Sequence, residues 1–99
     1  MNPALKKKKL LKATEMLKLL SHPVRLSILC DLIEQGEMSA GDIVEAEKSR
    51  ASQSQVSQYL AEFRRRKLVK ARKDGQQVFY TVAAPDVKTI LNTLHDIYC

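Results

Sequence analysis

Ser52–Lys67 reads S-Q-S-Q-V-S-Q-Y-L-A-E-F-R-R-R-K and has the periodicity of a single two-sided helix. Val56, Leu60 and Phe63 recur at helical spacing with Tyr59 beside them, so one side can be buried. Ser54, Ser57 and Gln58 recur at i, i+3, i+4 on another side, with Gln53 one turn before Ser57. These side chains are short, uncharged and able both to donate and to accept hydrogen bonds. The stretch ends in Arg64, Arg65, Arg66 and Lys67. An apolar back, an amide and hydroxyl front and a basic end are the parts of a helix that sits in a DNA major groove. Gln53, Ser54, Ser57 and Gln58 would read base edges, and the basic end would hold phosphate. An ordinary amphipathic surface helix has the same two faces, and only the flanking sequence separates the two readings.

Immediately upstream, Ser39–Asp42 (S-A-G-D) forms a capping signal that opens a short helix carrying Ile43, Val44 and Ala46. Glu47-Lys48-Ser49-Arg50-Ala51 is a polar turn, and Ser52 caps the next helix with Gln55 three residues on. Helix, polar turn and two-faced helix make a helix-turn-helix pattern. Downstream the period changes. Leu68–Lys73 and Gln76–Val82 are β-prone runs about Asp74-Gly75, which predicts a hairpin with a type I′ turn. Lys70, Arg72 and Lys73 on its first arm would let it act as a basic wing on the DNA backbone, although a plain solvated hairpin has the same sequence.

Further out, a helix is expected from about Ala4 to Leu20, too apolar for one narrow stripe, with Lys6–Lys9 as a solvated end or a contact for anions. A second helix runs from about Pro23 to Gln35, capped by Ser21 or His22 and ended by Gly36. It carries Val24, Leu26, Ile28, Leu29, Leu32 and Ile33 and should be central, with Cys30 at least half-buried. The last helix, from about Pro85 or Asp86 to Tyr98, has a clean stripe of Val87, Ile90, Leu91, Leu94, Ile97 and Tyr98. The first helix would cover that stripe, within the subunit or across a two-fold axis.

The chain, residues 1–99, is expected to form a single domain, whose core is small enough that help from a partner subunit is expected. A net charge of +6 and an isoelectric point near 9.5 favour a polyanionic partner, nucleic acid before an anionic membrane surface. No apolar run approaches the roughly 18 residues that span a bilayer. Lys12, Glu15 and Lys18 interrupt any signal-peptide core after the basic start, which predicts a cytoplasmic protein without a membrane partner. The two cysteines, Cys30 and Cys99, are not the pattern of a secreted disulfide scaffold.

The order of elements and three quoted stretches resemble the ArsR/SmtB family of repressors. The stretches are L-S-H-P-V-R-L-S-I-L from Leu20, Q-S-Q-V-S-Q-Y-L from Gln53 and V-F-Y-T-V from Val78. The resemblance implies a mainly α fold with a β-hairpin wing, a winged helix-turn-helix in the order α-α-α-α-β-β-α. It also implies a homodimer through the first and last helices, double-stranded DNA with a pseudo-palindromic site as partner, and transcriptional regulation, as a repressor, as the function. Ile28-Leu29-Cys30 and the ending L-H-D-I-Y-C resemble the persulfide- and redox-sensing BigR/SqrR/HlyU-like branch. That resemblance implies that Cys30 and Cys99 form a dithiol sensor for a small sulfur or oxidant inducer. Some members of the branch displace another DNA-binding protein instead of repressing. The sequence departs from the family twice. The third helix and turn, Ile43 to Ala51, are about two residues longer than the family's usual form, with Glu47, Lys48 and Arg50 where apolar residues are common. Lys67 also stands where many relatives have glycine, and a positive φ there would cost about 1 kcal/mol.

Metal sensing, the family's commonest chemistry, finds little support. No Cys-x-Cys occurs, and Asp86, Lys88 and His95 do not form a paired ligand set on the last helix. Catalysis finds less: the chain has no C-x-x-C, no Ser-His-Asp set and no glycine-rich phosphate loop, so it is read as a non-enzyme without a cofactor. A winged helix serving RNA or protein contact remains as a third class. By itself, the thiol chemistry leaves Cys30 as a small core residue and Cys99 as a tail thiol.

Overall fold

The computed structural model describes residues 2–98 and contains five helices and one small sheet. The order is α1 (Pro3–Leu20), α2 (Pro23–Gln35), β1 (Met38–Ser39), α3 (Ala40–Glu47), α4 (Gln53–Arg65), β2 (Val69–Asp74), β3 (Gln77–Val82) and α5 (Pro85–Tyr98). Helix starts follow the caps in the sequence. The Leu5 N–H donates to Asn2 Oδ1 at 2.8 Å, and Pro3 takes the first turn, where an N–H has no helical partner. His22, not Ser21, caps α2, its Nδ1 accepting from the Val24 N–H at 3.2 Å. Ser39 Oγ accepts from the Asp42 N–H at 3.1 Å at the start of α3.

Helix α2 is the hub. Ile28, Leu29 and Leu32 are buried and join Ile43 of α3, Val56, Leu60 and Phe63 of α4, Val82 of β3 and Val87 and Leu91 of α5 in one cluster. Phe63 is fully buried, and truncating a ring in such a site costs about 3–5 kcal/mol, a large part of a small domain's stability. Cys30 is half-buried on α2, as its position between Leu26 and Ile33 predicts.

The sheet is three-stranded and antiparallel, in the order β1-β3-β2. The sequence predicts only the two hairpin strands, because β1 is too short to show any period. Met38 pairs with Tyr80 and Ser39 with Phe79. The hairpin also turns one residue later than the Asp-Gly reading placed it. Asp74 pairs with Gln77, so the two-residue loop is Gly75-Gln76. Gly75 has φ +62° whereas Gln76 does not take positive φ. Type I′ needs positive φ at both positions, and a glycine at the first alone marks type II′.

Helix α1 stands off from the body. Leu19 and Leu20 are buried and Met16 partly so, but every described residue before Met16 is exposed. The longest dimension is therefore 48 Å, and the radius of gyration of 14.4 Å exceeds the roughly 12.6 Å expected for a compact chain of this length. On α5, Val87 and Leu91 pack inward, but Ile97 is 65% and Tyr98 80% exposed. Within one subunit, the apolar surfaces of α1 and α5 are thus left largely uncovered.

Candidate nucleic-acid interface

Helix α4 is set by a full capping box. The Gln55 N–H donates to Ser52 Oγ at 3.1 Å, and the Ser52 N–H donates to Gln55 Oε1 at 2.9 Å. Val56, Leu60 and Phe63 fill the core beneath it, which leaves Gln53, Ser54, Ser57 and Gln58 all exposed on its outer side. Tyr59 sits between the two faces. Its hydroxyl lies 3.5 Å from His22 Nε2, and Arg25 lies over its ring at 5.8 Å. Because His22 Nδ1 accepts from a backbone N–H, its proton belongs on Nε2, facing Tyr59. Arg25 also donates to the Lys18 carbonyl at 3.1 Å, so this junction ties the end of α1 to the flank of α4.

The end of α4 is a Schellman motif. The Leu68 N–H reaches the Phe63 carbonyl at 2.8 Å, the Lys67 N–H reaches Arg64 at 3.0 Å, and Leu68 and Phe63 are both buried. Lys67 takes the left-handed position with φ +62°, as its place after the helix suggests. The basic residues here are not equivalent. Arg65 and Arg66 both pair with Glu62, and Arg66 also lies 3.7 Å from Glu15. The hydrogen bond from Arg65, then that from Arg66, holds the Glu62 carboxyl below its ordinary range. Arg64 is exposed, and among the described residues it forms no ion pair. With Arg65, Ser57 and Tyr80 it lines an open cleft of about 420 Å³ between α3, α4 and β3.

The wing does not present Lys70, Arg72 and Lys73 as one basic face. Strand alternation puts Lys70 and Arg72 on one side of β2 and Lys73 on the other. Arg72 lies 4.5 Å over the Phe79 ring and grips Glu37 with two hydrogen bonds, Nε to Oε2 at 3.0 Å and Nη2 to Oε1 at 2.7 Å. The Arg72 hydrogen bond keeps the Glu37 carboxyl below its usual range. Arg72 therefore ties the wing to the start of β1 and is already matched to a carboxylate. Lys70 lines a different cleft, with Leu32, Lys88 and Asn92 of α2 and α5. Lys73 is exposed and unpaired among the described residues.

One buried group is disguised in the sequence. Glu47 ends α3 with 0% exposure, although its charge reads as part of a polar turn. Its position four residues after Ile43, on the buried side of α3, was the signal available. Ser27 Oγ donates to Glu47 Oε2 at 2.8 Å, and Arg50 Nη2 donates to Ser27 Oγ at 3.0 Å and to the same carboxylate oxygen at 3.3 Å.

Of the two cysteines, only Cys30 can be placed; Cys99 lies outside the described residues. Among the described residues no group of three or more His, Cys, Asp and Glu side chains is arranged to hold a metal ion. His22 is a helix cap, and His95 lies 3.7 Å from Glu34 and 3.9 Å from Asp96. No described helix is long and apolar enough to cross a membrane.

Relatives share part of the sequence and the overall shape. The transcriptional activator HlyU of Vibrio cholerae is 42% identical over 88 residues, 89% of this chain and 79% of its own length. The biofilm growth-associated repressor of Xylella fastidiosa is 36% identical over 85% of this chain and 71% of its own. The structure of reduced HlyU from Vibrio cholerae superposes with a TM-score of 0.84 at 40% identity, covering 95% of this chain and 96% of that one. The repressor BigR from Xylella fastidiosa superposes with a TM-score of 0.79 at 33% identity, over 100% and 98% of the two chains. No family model matches the chain. These relatives are transcriptional regulators and not enzymes. The chain belongs to the ArsR/SmtB family of winged helix-turn-helix DNA-binding transcriptional regulators, in its HlyU- and BigR-like branch.

Proposed function

We propose that the protein acts as a homodimer on a pseudo-palindromic operator and represses transcription until a sulfur or oxidant signal joins Cys30 to Cys99. The observation that carries the reading is α4. Val56, Leu60 and Phe63 are buried in the core, while Gln53, Ser54, Ser57 and Gln58 face outward with no side-chain hydrogen bond among the described residues. Side chains of this type discriminate bases in the major groove by about 1–3 kcal/mol per good bidentate pair. Arg64, Lys70 and Lys73 are the wing and α4 cations free to hold phosphate, because none is matched to a carboxylate among the described residues; Lys70 lies in a separate cleft beside α2 and α5. Arg65 would have to exchange Glu62 for phosphate, and Arg72 would have to exchange Glu37.

Dimerisation is supported by the exposed leucines of α1, at positions 5, 10, 11 and 17, and by Ile90, Ile97 and Tyr98 of α5. A monomer seldom leaves that much contiguous apolar surface in water. Two copies of α4 would then enter successive major grooves about 34 Å apart. The dithiol switch rests on the half-buried Cys30, on the family branch and on the existence of a relative's structure described as reduced. Oxidation would join two thiols by giving two electrons and two protons to the oxidant. A persulfide would instead leave additional sulfur in the bridge. A second reading, displacement of another DNA-binding protein, is favoured by the description of the Vibrio cholerae relative as an activator. A small basic protein working on DNA belongs in the cytoplasm.

The test starts with wild-type protein and a pool of randomised duplexes, and measures affinity for the selected site and for random duplex against salt. Gln58→Ala should lose site preference while keeping its random-duplex affinity. Arg64→Ala should weaken both and reduce the log–log salt slope by about 1. If neither substitution changes duplex binding, α4 is not the reading helix. Intact-protein mass after persulfide or peroxide treatment then reports whether a bridge gains sulfur or only loses hydrogen. A Cys30→Ser protein that still releases DNA would refute the switch.

A further inference from the structure

The link between α3 and α4 is residues 48–52, and it must aim α4. Here one residue restrains it twice. The Glu47 carbonyl accepts the Arg50 N–H at 2.9 Å and the Ala51 N–H at 2.9 Å, which winds the link back against the end of α3. The Glu47 side chain turns inward to α2, where Ser27 Oγ, Glu47 Oε2 and Arg50 Nη2 close a three-membered hydrogen-bonded ring. Three segments meet in it: the central helix, the last residue of α3 and the middle of the link.

The chemistry of the ring is not what stability alone would choose. A wholly buried carboxylate loses its hydration, and replacing a buried ion pair by a well-packed apolar residue is often neutral or stabilising. Glu47 Oε1 is buried and lies 3.3 Å from Arg50 Nη2, yet outside hydrogen-bonding geometry, so even this pair is incompletely satisfied. Asp31, one turn along α2 from Ser27, adds a second acid. Its carboxyl is held above the ordinary range by burial first, then by the nearby charges of Glu47 and Glu34, with Arg50 opposing. An apolar residue at position 47 could fill the same space but could not hold Arg50. What the carboxylate adds is a fixed place for the link.

We propose that the Ser27–Glu47–Arg50 ring is a positioning device that sets the aim of α4, and hence base discrimination, without itself touching DNA bases. The proposal rests on α4 being the reading helix. Glu47→Leu keeps the volume and removes the grip on Arg50. Glu47→Gln keeps the Ser27 hydrogen bond and loses the charge, and it serves if the leucine protein does not fold. Arg50→Gln breaks the ring from the other side.

The experiment uses the full chain, a site selected by the wild-type protein from randomised duplexes, and a scrambled duplex of equal length. Thermal midpoint and oligomeric state are measured beside both affinities. We expect the ratio of selected-site to scrambled affinity to fall at least tenfold in Glu47→Leu, with scrambled affinity, salt slope and oligomeric state unchanged. Glu47→Gln and Arg50→Gln should each lower the ratio, and the double variant should be no worse than the poorer single one. Amide exchange at residues 50–56 should quicken in all three. A leucine variant that folds and keeps the wild-type ratio overturns the device. So does one whose two affinities fall equally with its folded fraction, which is a purely structural role. If the wild-type protein selects no site, the failure lies with the reading helix itself, and the device falls with it.

Discussion

Lys67 offers a prediction whose size follows from backbone geometry. It occupies the left-handed position of the Schellman motif that ends α4, with φ +62°. An L-residue there costs roughly 1–2 kcal/mol, because Cβ crowds the following carbonyl oxygen. Glycine removes that cost, but its freer unfolded chain returns about 0.4–1 kcal/mol of it. The net gain for Lys67→Gly is about 0.5–1 kcal/mol. Unfolding entropy of about 2.1 cal/mol/K per residue gives roughly 0.2 kcal/mol/K for this chain, so the thermal midpoint should rise by about 2–5 °C. Lys67→Ala keeps the Cβ and removes the same charge, so it isolates the backbone term. The assay is thermal unfolding of the three proteins at equal concentration, since an associating protein's midpoint depends on concentration. A Lys67→Gly protein no more stable than Lys67→Ala would refute the reasoning. Both variants should lose the same amount of DNA affinity, because each has lost the same cation.

Asp31→Asn should stabilise the protein at neutral pH. The fold holds the Asp31 carboxyl above its ordinary range, so it favours the protonated form. The stability associated with that group is present at low pH and is lost as pH rises through the folded value. The Glu34 component alone, a like-charge i,i+3 pair, is worth about 0.2–0.5 kcal/mol. The midpoint of Asp31→Asn should therefore exceed that of the wild type at pH 7, and the gap should narrow toward pH 4; a gap that widens on acidification contradicts the assignment. Leu10→Glu and Ile97→Glu place charges on surfaces that are 55% and 65% exposed within one subunit. Sedimentation equilibrium should show a shift to monomer with helical circular dichroism largely retained, whereas an unchanged dimer would put the interface elsewhere.

Helix boundaries were legible because each depends on neighbours in sequence. Ser52 with Gln55, Ser39 before Asp42 and Pro23 at a first turn are local devices, and a cap works wherever the helix lies. The buried side of α4 was equally legible, since Val56, Leu60 and Phe63 differ in kind from Gln53, Ser54, Ser57 and Gln58. Strand β1 was not, because two residues carry no period and its partner lies some forty positions away. The hairpin turn slipped by one residue for a related reason. Asp74-Gly75 and Gly75-Gln76 are both plausible loops locally, and the pairing of Val69 with Val82 at the far end fixes the register.

Charge was the least legible property. Arg64, Arg65, Arg66, Lys70, Arg72 and Lys73 look alike in the sequence. The tertiary structure gives Arg72 to Glu37 and shares Glu62 between Arg65 and Arg66, which leaves Arg64, Lys70 and Lys73 unpaired among the described residues. Glu47 shows the same limit from the other side. Its neighbours read as a solvated turn, but Ser27, twenty residues earlier, and Arg50 make it a buried anchor. By itself the sequence determined where helices begin, which of their sides are apolar and that the net charge favours an anionic partner, because propensity, periodicity and net charge are additive and local. Only the tertiary structure decided which charges remain for that partner and what holds α4 in place. Pairing depends on distances between residues remote in the chain, and a side chain within hydrogen-bonding reach of its opposite is no longer spare.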